Sequence, residues 1–321
     1  MIVRRANSGI FLRRKIMRKV LLTSTALVAF ASVASAADIT ISGDSVFNYT
    51  SISDSTAYGA GKDGNAMAID GNLAVSSTAT SDSGLTYTTA YDVDGDSADL
   101  SISGDFGKLS IDGGSDGAGA SGEMSGDVAA DETTGITTIP FDGDSAVPGG
   151  FLSYSSPSFG GANVYVGYTD AGAGNDNATS IYSIKYATEA AGAAVTLGYA
   201  ASSADTAETD TSSMGVKIVS GDLALTAALN TKTIGTTADY SGTSVGLTYA
   251  VNDSMAIQMH TKNAENDKDT DYDYSESAVS ATYTIAPGLT SAITFTNYEL
   301  TGNDAVKQDG SATNVELKVA F

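Results

Sequence analysis

Apolar residues recur at every second position along most of the chain. Residues 39–42 read ITIS, residues 85–88 read LTYT, and the chain ends with NVELKVAF at 314–321. An amphipathic helix would instead place its apolar residues three and four positions apart. The period of two therefore predicts β-strands, and the final strand ends on the aromatic residue Phe321.

The polar connections between these strands fall into a short set and a long set. Short turns lie at 80–84, 104–108, 156–161, 189–192, 220–222, 251–254 and 286–288. Longer polar stretches lie at 51–66, 94–97, 113–149, 170–178, 201–211, 230–241, 262–275 and 300–311. These fifteen connections predict sixteen strands of about ten residues, the length that crosses a bilayer at the usual tilt. An even number of strands places both chain ends on the side of the short turns.

We therefore predict an all-β fold, a 16-stranded antiparallel transmembrane β-barrel whose alternate side chains face lipid and water. Its third loop, at about 113–149, is the longest connection. A soluble β-sandwich also alternates, but its connections do not sort into short and long sets. Tyrosines cluster at the ends of the apolar faces, as in an interfacial aromatic girdle, and these are Tyr49, Tyr91, Tyr168, Tyr186, Tyr199 and Tyr249.

Residues 1–36 have the features of an export signal. A basic pair and an apolar run at 20–33 precede a small-residue cleavage site before Ala37, which is the pattern of a secretory signal peptide. We expect Met17 to be the true initiator and residues 37–321 to form the barrel domain. Beyond the signal, no apolar run reaches the length of about 20 residues that a transmembrane helix needs.

The charge of the chain is strongly negative. It has 321 residues, 38 of them acidic and 16 basic, for a formal net charge of -22. Seven of the basic residues lie in the expected signal, which leaves nine lysines, no arginine and a formal charge of -29 for the remainder. Such acidity excludes nucleic-acid binding, which needs a basic footprint. The absence of cysteine excludes disulfides and thiol chemistry.

Two internal stretches and both ends of the barrel domain carry a family resemblance. They are TSDSGLTYTTAYDVDG at 80–95, ADLSISGDFGKLSIDGG at 98–114, ADITISGD at 37–44 and NVELKVAF at 314–321. In these stretches the chain resembles the trimeric general porins of alphaproteobacteria, the Rhodobacter type. The resemblance implies a homotrimer in the outer membrane, in contact with lipid and lipopolysaccharide, through which small hydrophilic solutes and ions diffuse passively. It also implies that Phe321 is a signal read by the barrel assembly machinery.

The resemblance further implies that loop 113–149 folds into the pore and narrows it, with its acids facing basic residues of the wall. The candidate loop acids are Asp116, Glu123, Asp127, Asp131, Glu132, Asp142 and Asp144. The positions at which relatives carry wall arginines correspond here to Asp70 and Asn72, with Val46 at a third. The inward lysines that we expect are Lys185, Lys217 and Lys318. Because a negative lumen concentrates cations, we expect a cation preference.

Two kinds of motif point to other classes of protein. GTSVG at 242–246 matches the G-x-S-x-G of a hydrolase, but Ser244 falls inside an alternating strand and His260 is the one histidine. That chemistry needs a strand-to-helix turn with a histidine base and an acid, so we expect no enzymatic activity. DVDGDSAD at 92–99 and NDKDTDYDYSE at 266–276 are similar to calcium loops but lack EF-hand spacing. They leave structural Ca²⁺, and a secreted soluble calcium-binding adhesin or surface-layer protein, as the alternative; we expect no other cofactor.

Overall fold

The computed structural model describes the greater part of the predicted barrel domain. The described residues are 37–54, 64–93, 98–111, 125–130, 133–134, 136, 139–144, 147–170, 178–205, 208–302 and 307–321. Residues 1–36, where the export signal is predicted, lie outside these ranges. Within the described ranges, no helix is long and apolar enough to span a membrane.

The described residues form sixteen strands, numbered here in chain order. They are β1 (Asp38–Asp54), β2 (Gly64–Thr80), β3 (Thr86–Asp92), β4 (Ala98–Gly104), β5 (Gly107–Ile111), β6 (Leu152–Ser155), β7 (Ala162–Thr169), β8 (Thr179–Ala190), β9 (Ala193–Ala204), β10 (Thr209–Ser220), β11 (Leu223–Ile234), β12 (Ala238–Asn252), β13 (Met255–Asn266), β14 (Asp269–Ala286), β15 (Leu289–Thr301) and β16 (Lys307–Ala320).

The strands close into one barrel, in which each strand pairs antiparallel with its sequence neighbours and β1 pairs with β16. At the seam, Asp44 lies opposite Ala320. Beyond that pair, the Gly43 amide donates to the Phe321 carbonyl at 3.1 Å, and the Phe321 amide donates to the Gly43 carbonyl at 3.0 Å. The last residue of the chain thus completes the ring. The prediction of a 16-stranded antiparallel barrel is confirmed.

The barrel wall is apolar on its outer face and polar on its inner face. On β13, Met259 on the outer face is 41% exposed, whereas His260 and Lys262 on the inner face are 5% and 3% exposed. On β8 the same contrast separates the exposed Tyr182 from the buried Ser183. A globular protein in water has the opposite arrangement. The outer face is therefore suited to hydrocarbon and the inner face to water.

Tyrosine rings mark the end of the apolar outer face that lies next to the short turns. Tyr186, Tyr249 and Tyr283 are 42%, 47% and 50% exposed, and each lies a few residues from a turn that joins two strands. A tyrosine ring is stable where its carbons meet hydrocarbon and its hydroxyl meets water. These rings therefore indicate one edge of the lipid-facing band.

The predicted bounds of three long loops are wrong. Strands occupy most of the ranges 201–211, 230–241 and 262–275, and the connections shorten to 205–208, 235–237 and 267–268. The strands therefore continue well beyond the lipid-facing band before the chain turns.

A reversal of polarity along these strands explains the error. Near the short turns the outer residues are apolar, but toward the other end they become polar, as at Asn263 and Ser275, which are both exposed. The inner residues change in the opposite sense, to buried Ala264, Tyr272 and Tyr274. The alternation of apolar and polar residues continues, but the apolar residues move from the outer to the inner face. A strand predicted from one apolar face therefore ends before the real strand does.

These inward apolar residues form a cluster inside the end of the barrel that carries the long connections, and we call it the mouth cluster. Its buried members are Phe141, Ala238, Tyr240, Ala264, Tyr272 and Tyr274, with Ile136, Ile139, Ile234 and Leu300 packed against them. The rings of Tyr240 and Tyr272 meet edge to face with centroids 5.2 Å apart. Because Phe141 belongs to the third connection, the cluster fixes part of that connection to the wall.

The seam of the barrel tolerates no side chain at Gly43. A Cβ atom there would lie 2.6 Å from the backbone oxygen of Asn72 and 3.0 Å from the ring of Phe321. We expect Gly43→Ala to destabilise the barrel by about 1–3 kcal/mol, as overpacking of a fixed backbone does. The measurement is the temperature at which the folded protein loses its compact mobility on an unboiled gel. Gly71→Ala is the control, because its Cβ would lie 3.5 Å from the nearest atom; equal midpoints for the two variants would contradict the account.

Candidate functional site: the pore constriction

The third connection, between β5 and β6, crosses the lumen to the opposite wall. In a ring of sixteen strands β5 and β6 lie across from β13 and β14. The Gly126 amide donates to Ser244 Oγ on β12 at 2.9 Å, and the Ala130 amide donates to Ser280 Oγ on β14 at 3.0 Å. Thr294 Oγ1 on β15 donates to the carbonyl of Ala130. The described part of the third connection therefore lies inside the barrel, against the wall opposite its own strands.

Glycines on the loop and on the wall allow their backbones to touch. A Cβ atom on Gly126 would lie 2.3 Å from the backbone carbon of Ser244, and one on Gly246 would lie 2.4 Å from the carbonyl oxygen of Gly126. A Cβ atom on Gly242 would likewise lie 2.4 Å from the Cα atom of Gly143. Only glycine permits such approach. The position of the loop is thus set by backbone contact along β12.

The GTSVG sequence at 242–246 is the strip on which the loop rests. Its two glycines admit the loop backbone, and Ser244 between them is fully buried. Besides accepting from the loop, Ser244 Oγ donates to Asp144 Oδ1 at 3.2 Å. Ser244 lies within the regular ladder of β12, which differs from the strained strand-to-helix turn of a nucleophile elbow. The geometry therefore gives this motif a structural role in holding the loop.

A buried group of charges holds the loop from both of its legs. Lys262 Nζ on β13 lies 3.0 Å from Asp127 Oδ2, 3.4 Å from Asp142 Oδ2 and 3.4 Å from Glu276 Oε1 on β14. The lysine side chain is only 3% exposed. Asp127 and Asp142 come from opposite legs of the loop, so one ammonium ties both legs to the wall. We call Lys262, Asp127, Asp142, Glu276 and His260 the latch.

His260 extends the latch through both of its ring nitrogens. The Ala129 amide donates to Nδ1 at 3.3 Å, and Nε2 lies 2.8 Å from Glu276 Oε1. Nδ1 also lies 3.3 Å from Asp127 Oδ1, so the ring contacts an acid of the loop and an acid of the wall. The hydroxyl of Tyr274 donates to the other oxygen of Glu276. The buried carboxylate is thereby fully engaged, as a charge in such a place must be.

Three of the predicted loop acids lie among the described residues, and all three contact the wall or the loop itself. Asp127 and Asp142 face Lys262, while Asp144 accepts from Ser125 Oγ at 2.6 Å and from Ser244. The remaining predicted loop acids lie outside the described residues, and they are Asp116, Glu123, Asp131 and Glu132.

The predicted wall residues lie on three parts of the barrel. Asp70 pairs with Val46 and Asn72 with Asp44, across β1 and β2. Lys318 Nζ lies 3.3 Å from Asp44 Oδ2, so these five side chains share one face of the sheet. On the far wall, the remaining two predicted lysines share an inward face with buried serines, Lys185 with Ser183 on β8 and Lys217 with Ser213 on β10.

Two wall lysines that hold the loop were not predicted from the sequence, because the predicted bounds of the long loops were wrong. Lys262 falls in the range 262–275, and Lys232, whose Nζ donates to the Pro140 carbonyl at 3.0 Å, falls in 230–241. Both ranges were predicted to lie outside the barrel wall. The signal was present, because the inward parity of Gln258 and His260 continues unbroken to Lys262.

The acids of the latch face Lys262. Among the described residues, no group of three or more His, Asp and Glu side chains has the arrangement of a metal site. The acidic stretch at 266–276 includes the tight turn between β13 and β14 and the start of β14. The other, at 92–99, lies partly outside the described residues.

A closed barrel with polar side chains inside and a loop across its lumen is the architecture of a channel protein of the outer membrane. Residues 23–303 match the model of the Gram-negative porin family, and the chain belongs to this family. As a Gram-negative porin it is an outer-membrane channel. The alternative of a soluble adhesin has no support in the family or in the fold.

Solved porin structures share this fold at low sequence identity. The anion-selective porin of Comamonas acidovorans is 13% identical, over 89% of this chain and 100% of that chain, with a TM-score of 0.62. The trimer form of OmpT of Vibrio cholerae is 12% identical, over 89% and 100%, with a TM-score of 0.63. The channel DcaP of Acinetobacter baumannii is 12% identical, over 89% and 97%, with a TM-score of 0.60. A search of curated protein sequences gave no match.

Loss of the latch lysine is expected to release the loop. Lys262→Met removes the cation and leaves three carboxylates within reach of one another. Breaking a buried ion pair in this way costs about 3–5 kcal/mol, and the lower value applies because Asp142 is 39% exposed. We expect the single-channel conductance in planar bilayers to rise and to fluctuate.

The control for this variant is Lys217→Met, which removes the same charge from the wall. Lys217 shares its face with Ser213 on β10, whereas the contacts of the described loop residues given above lie on β11 to β15. Conductance should stay close to that of the original protein in this variant. If the two variants conduct alike, the latch does not hold the constriction.

Proposed function

We propose that this porin lets small hydrophilic solutes and ions diffuse passively through a cation-preferring channel. The observation that carries the proposal is the charge of the constriction. In the latch, three carboxylates face one ammonium and one imidazole, so the acids outnumber the basic groups. The group then keeps a net negative charge inside a low-dielectric wall, where the field of fixed charges is focused along the channel.

The composition of the wall supports the same preference. Lys318 is offset by Asp44 at 3.3 Å, whereas Asp70 is exposed on the same face. The whole chain carries 38 acids against 16 basic residues. Cations entering the lumen therefore meet uncompensated carboxylates, and anions meet few free ammonium groups.

We also propose that three copies assemble through the outer face of β1 and β2. Ile39 and Ile41 are 57% and 62% exposed, and Met67 and Ile69 are 74% and 75% exposed. These large apolar side chains lie at two places on the outer face of β1 and β2, which a second copy would cover. The trimer form described for OmpT of Vibrio cholerae, whose barrel has the same fold, supports an assembly of three copies.

The remaining proposed partners are outer-membrane lipid, lipopolysaccharide and the barrel assembly machinery. Phe321 is 74% exposed at the end of the closing strand, where a folding factor could bind it before the seam forms. Membership of the Rhodobacter-type subgroup is part of the same proposal and rests on the motifs at 80–114 and at the two ends of the barrel domain.

Ion selectivity tests the channel proposal. Under a KCl gradient in planar bilayers, the reversal potential should show that K⁺ permeates better than Cl⁻. Asp70→Lys should lower the permeability ratio about twofold, because it replaces an attractive charge in the lumen by a repulsive one. Asp222→Lys makes the same change of charge at an exposed short turn and should leave the ratio nearly unaltered. A preference for Cl⁻ in the original protein would overturn the proposal.

Gel migration tests the assembly proposal. Ile69→Ser removes an exposed apolar side chain from the proposed interface, so unboiled samples should shift from the trimer band to the monomer band. Met214→Ser is the control, because Met214 is 54% exposed on β10, which lies across the barrel from β2. A trimer band that survives both substitutions equally would place the interface elsewhere.

A further inference from the structure

A cavity opens beside the mouth cluster, at the end of the lumen that carries the long connections. In outer-membrane barrels this is the extracellular end. Its volume is about 710 Å³, within the range of about 300–1,000 Å³ that is usual for small-molecule sites. It lies between the hairpin tips at 235–237 and 267–268, with Pro140 of the constriction loop on one side. We call it the mouth cleft. Solutes that approach from outside reach it before they reach the latch.

One wall of the mouth cleft is apolar and aromatic. Ile234 and Leu300 contribute aliphatic side chains, and Tyr240 and Tyr272 contribute rings that are 8% and 5% exposed. The hydroxyl of Tyr272 is already bonded to the carbonyl of Phe141, which fixes the ring. This wall therefore offers a rigid surface on which the flat apolar body of a ligand can lie.

The lining of the cleft also includes a lysine and an asparagine. Lys268 is exposed at the hairpin tip, and its Nζ donates to the Gly235 carbonyl at 3.1 Å. The Asn266 side-chain oxygen accepts the amides of Asp239 at 3.0 Å and Lys268 at 3.1 Å. Asn266 is itself among the residues that line the cleft.

No carboxylate is among the described residues that line the cleft. This differs from the lumen below, where Lys262 faces three carboxylates and Lys318 faces Asp44. At Lys268 the described partner of Nζ is a neutral carbonyl. Among its described residues the cleft thus combines a lysine with apolar side chains in a strongly acidic molecule.

From this combination we propose that the mouth cleft binds small organic acids with an aromatic or alicyclic body, and that it concentrates them at the channel entrance. The carboxylate would accept hydrogen bonds from Lys268 and Asn266, and the ring would lie against Tyr240 and Leu300. A neutral sugar fits less well, because a polyol needs several donors and acceptors around its ring and this apolar wall offers few. The inference goes beyond passive conduction and does not depend on the cation preference.

The test measures block of the ion current by phenylacetate added to the extracellular side of channels in planar bilayers. Phenylacetamide keeps the ring without the charge, and acetate keeps the charge without the ring. We expect saturable block by phenylacetate and much weaker block by the other two compounds. Equal block by phenylacetamide, or no saturable block by any of them, would overturn the proposal.

Two lysine variants locate the site. Lys268→Gln should weaken block by phenylacetate about fivefold, the effect of losing one ion pair at a partly exposed site. Lys307→Gln is the matched control, because Lys307 is at the same end of the barrel but pairs with Glu299 at 2.9 Å. Equal block in the two variants would exclude Lys268 as the anion contact. The KCl conductance of the same channels, measured without phenylacetate, reports separately whether the channel itself is intact.

Discussion

No water is present inside a bilayer to satisfy the backbone along an unpaired strand edge, so a β-sheet survives there only as a closed ring. In this porin the ring closes between β1 and β16, and its last two hydrogen bonds join Gly43 to Phe321. Closure also decides where every side chain goes, because alternate residues must then face either lipid or the lumen. The polar interior, the apolar exterior and the place for a crossing loop all follow from it.

The constriction loop must satisfy its own backbone once it lies against the wall. Serine and threonine hydroxyls on three strands supply the partners, at Ser244, Ser280 and Thr294. The latch adds charge to this scheme, since Lys262 meets acids from both legs of the loop. Polar groups buried in this way hold one geometry because any displacement leaves several of them unpaired.

The sequence was sufficient to predict the architecture because period-two alternation and the sorting of turns depend only on the local chain. Fold class, strand number and the short turns followed from those patterns, and the structure confirms them. The extents of β9 to β14 did not follow, because the apolar residues pass from the outer to the inner face partway along, as from Met259 to Ala264. The latch was not predicted for the same reason, because Lys262 fell in a range that was predicted to be a loop.

The candidate site was also difficult to predict because its main contacts are made by residues that carry no chemical signature. Gly126, Gly143, Gly242 and Gly246 look like ordinary members of a glycine-rich chain, and their role appears only when two distant backbones are placed side by side. GTSVG, which contains Ser244, matches a catalytic motif in sequence alone. Its function in the structure comes from position and burial instead.

The glycine contacts have a consequence for how such a pore can change over time. Main-chain contact along β12 fixes the distance between the loop and the wall, and this distance sets the width of the pore. The loop side chains that do not contact the wall contribute only charge. Substitutions among those side chains can retune which ions are favoured without altering the size limit. Size exclusion and ionic preference can therefore diverge independently among descendants of one barrel.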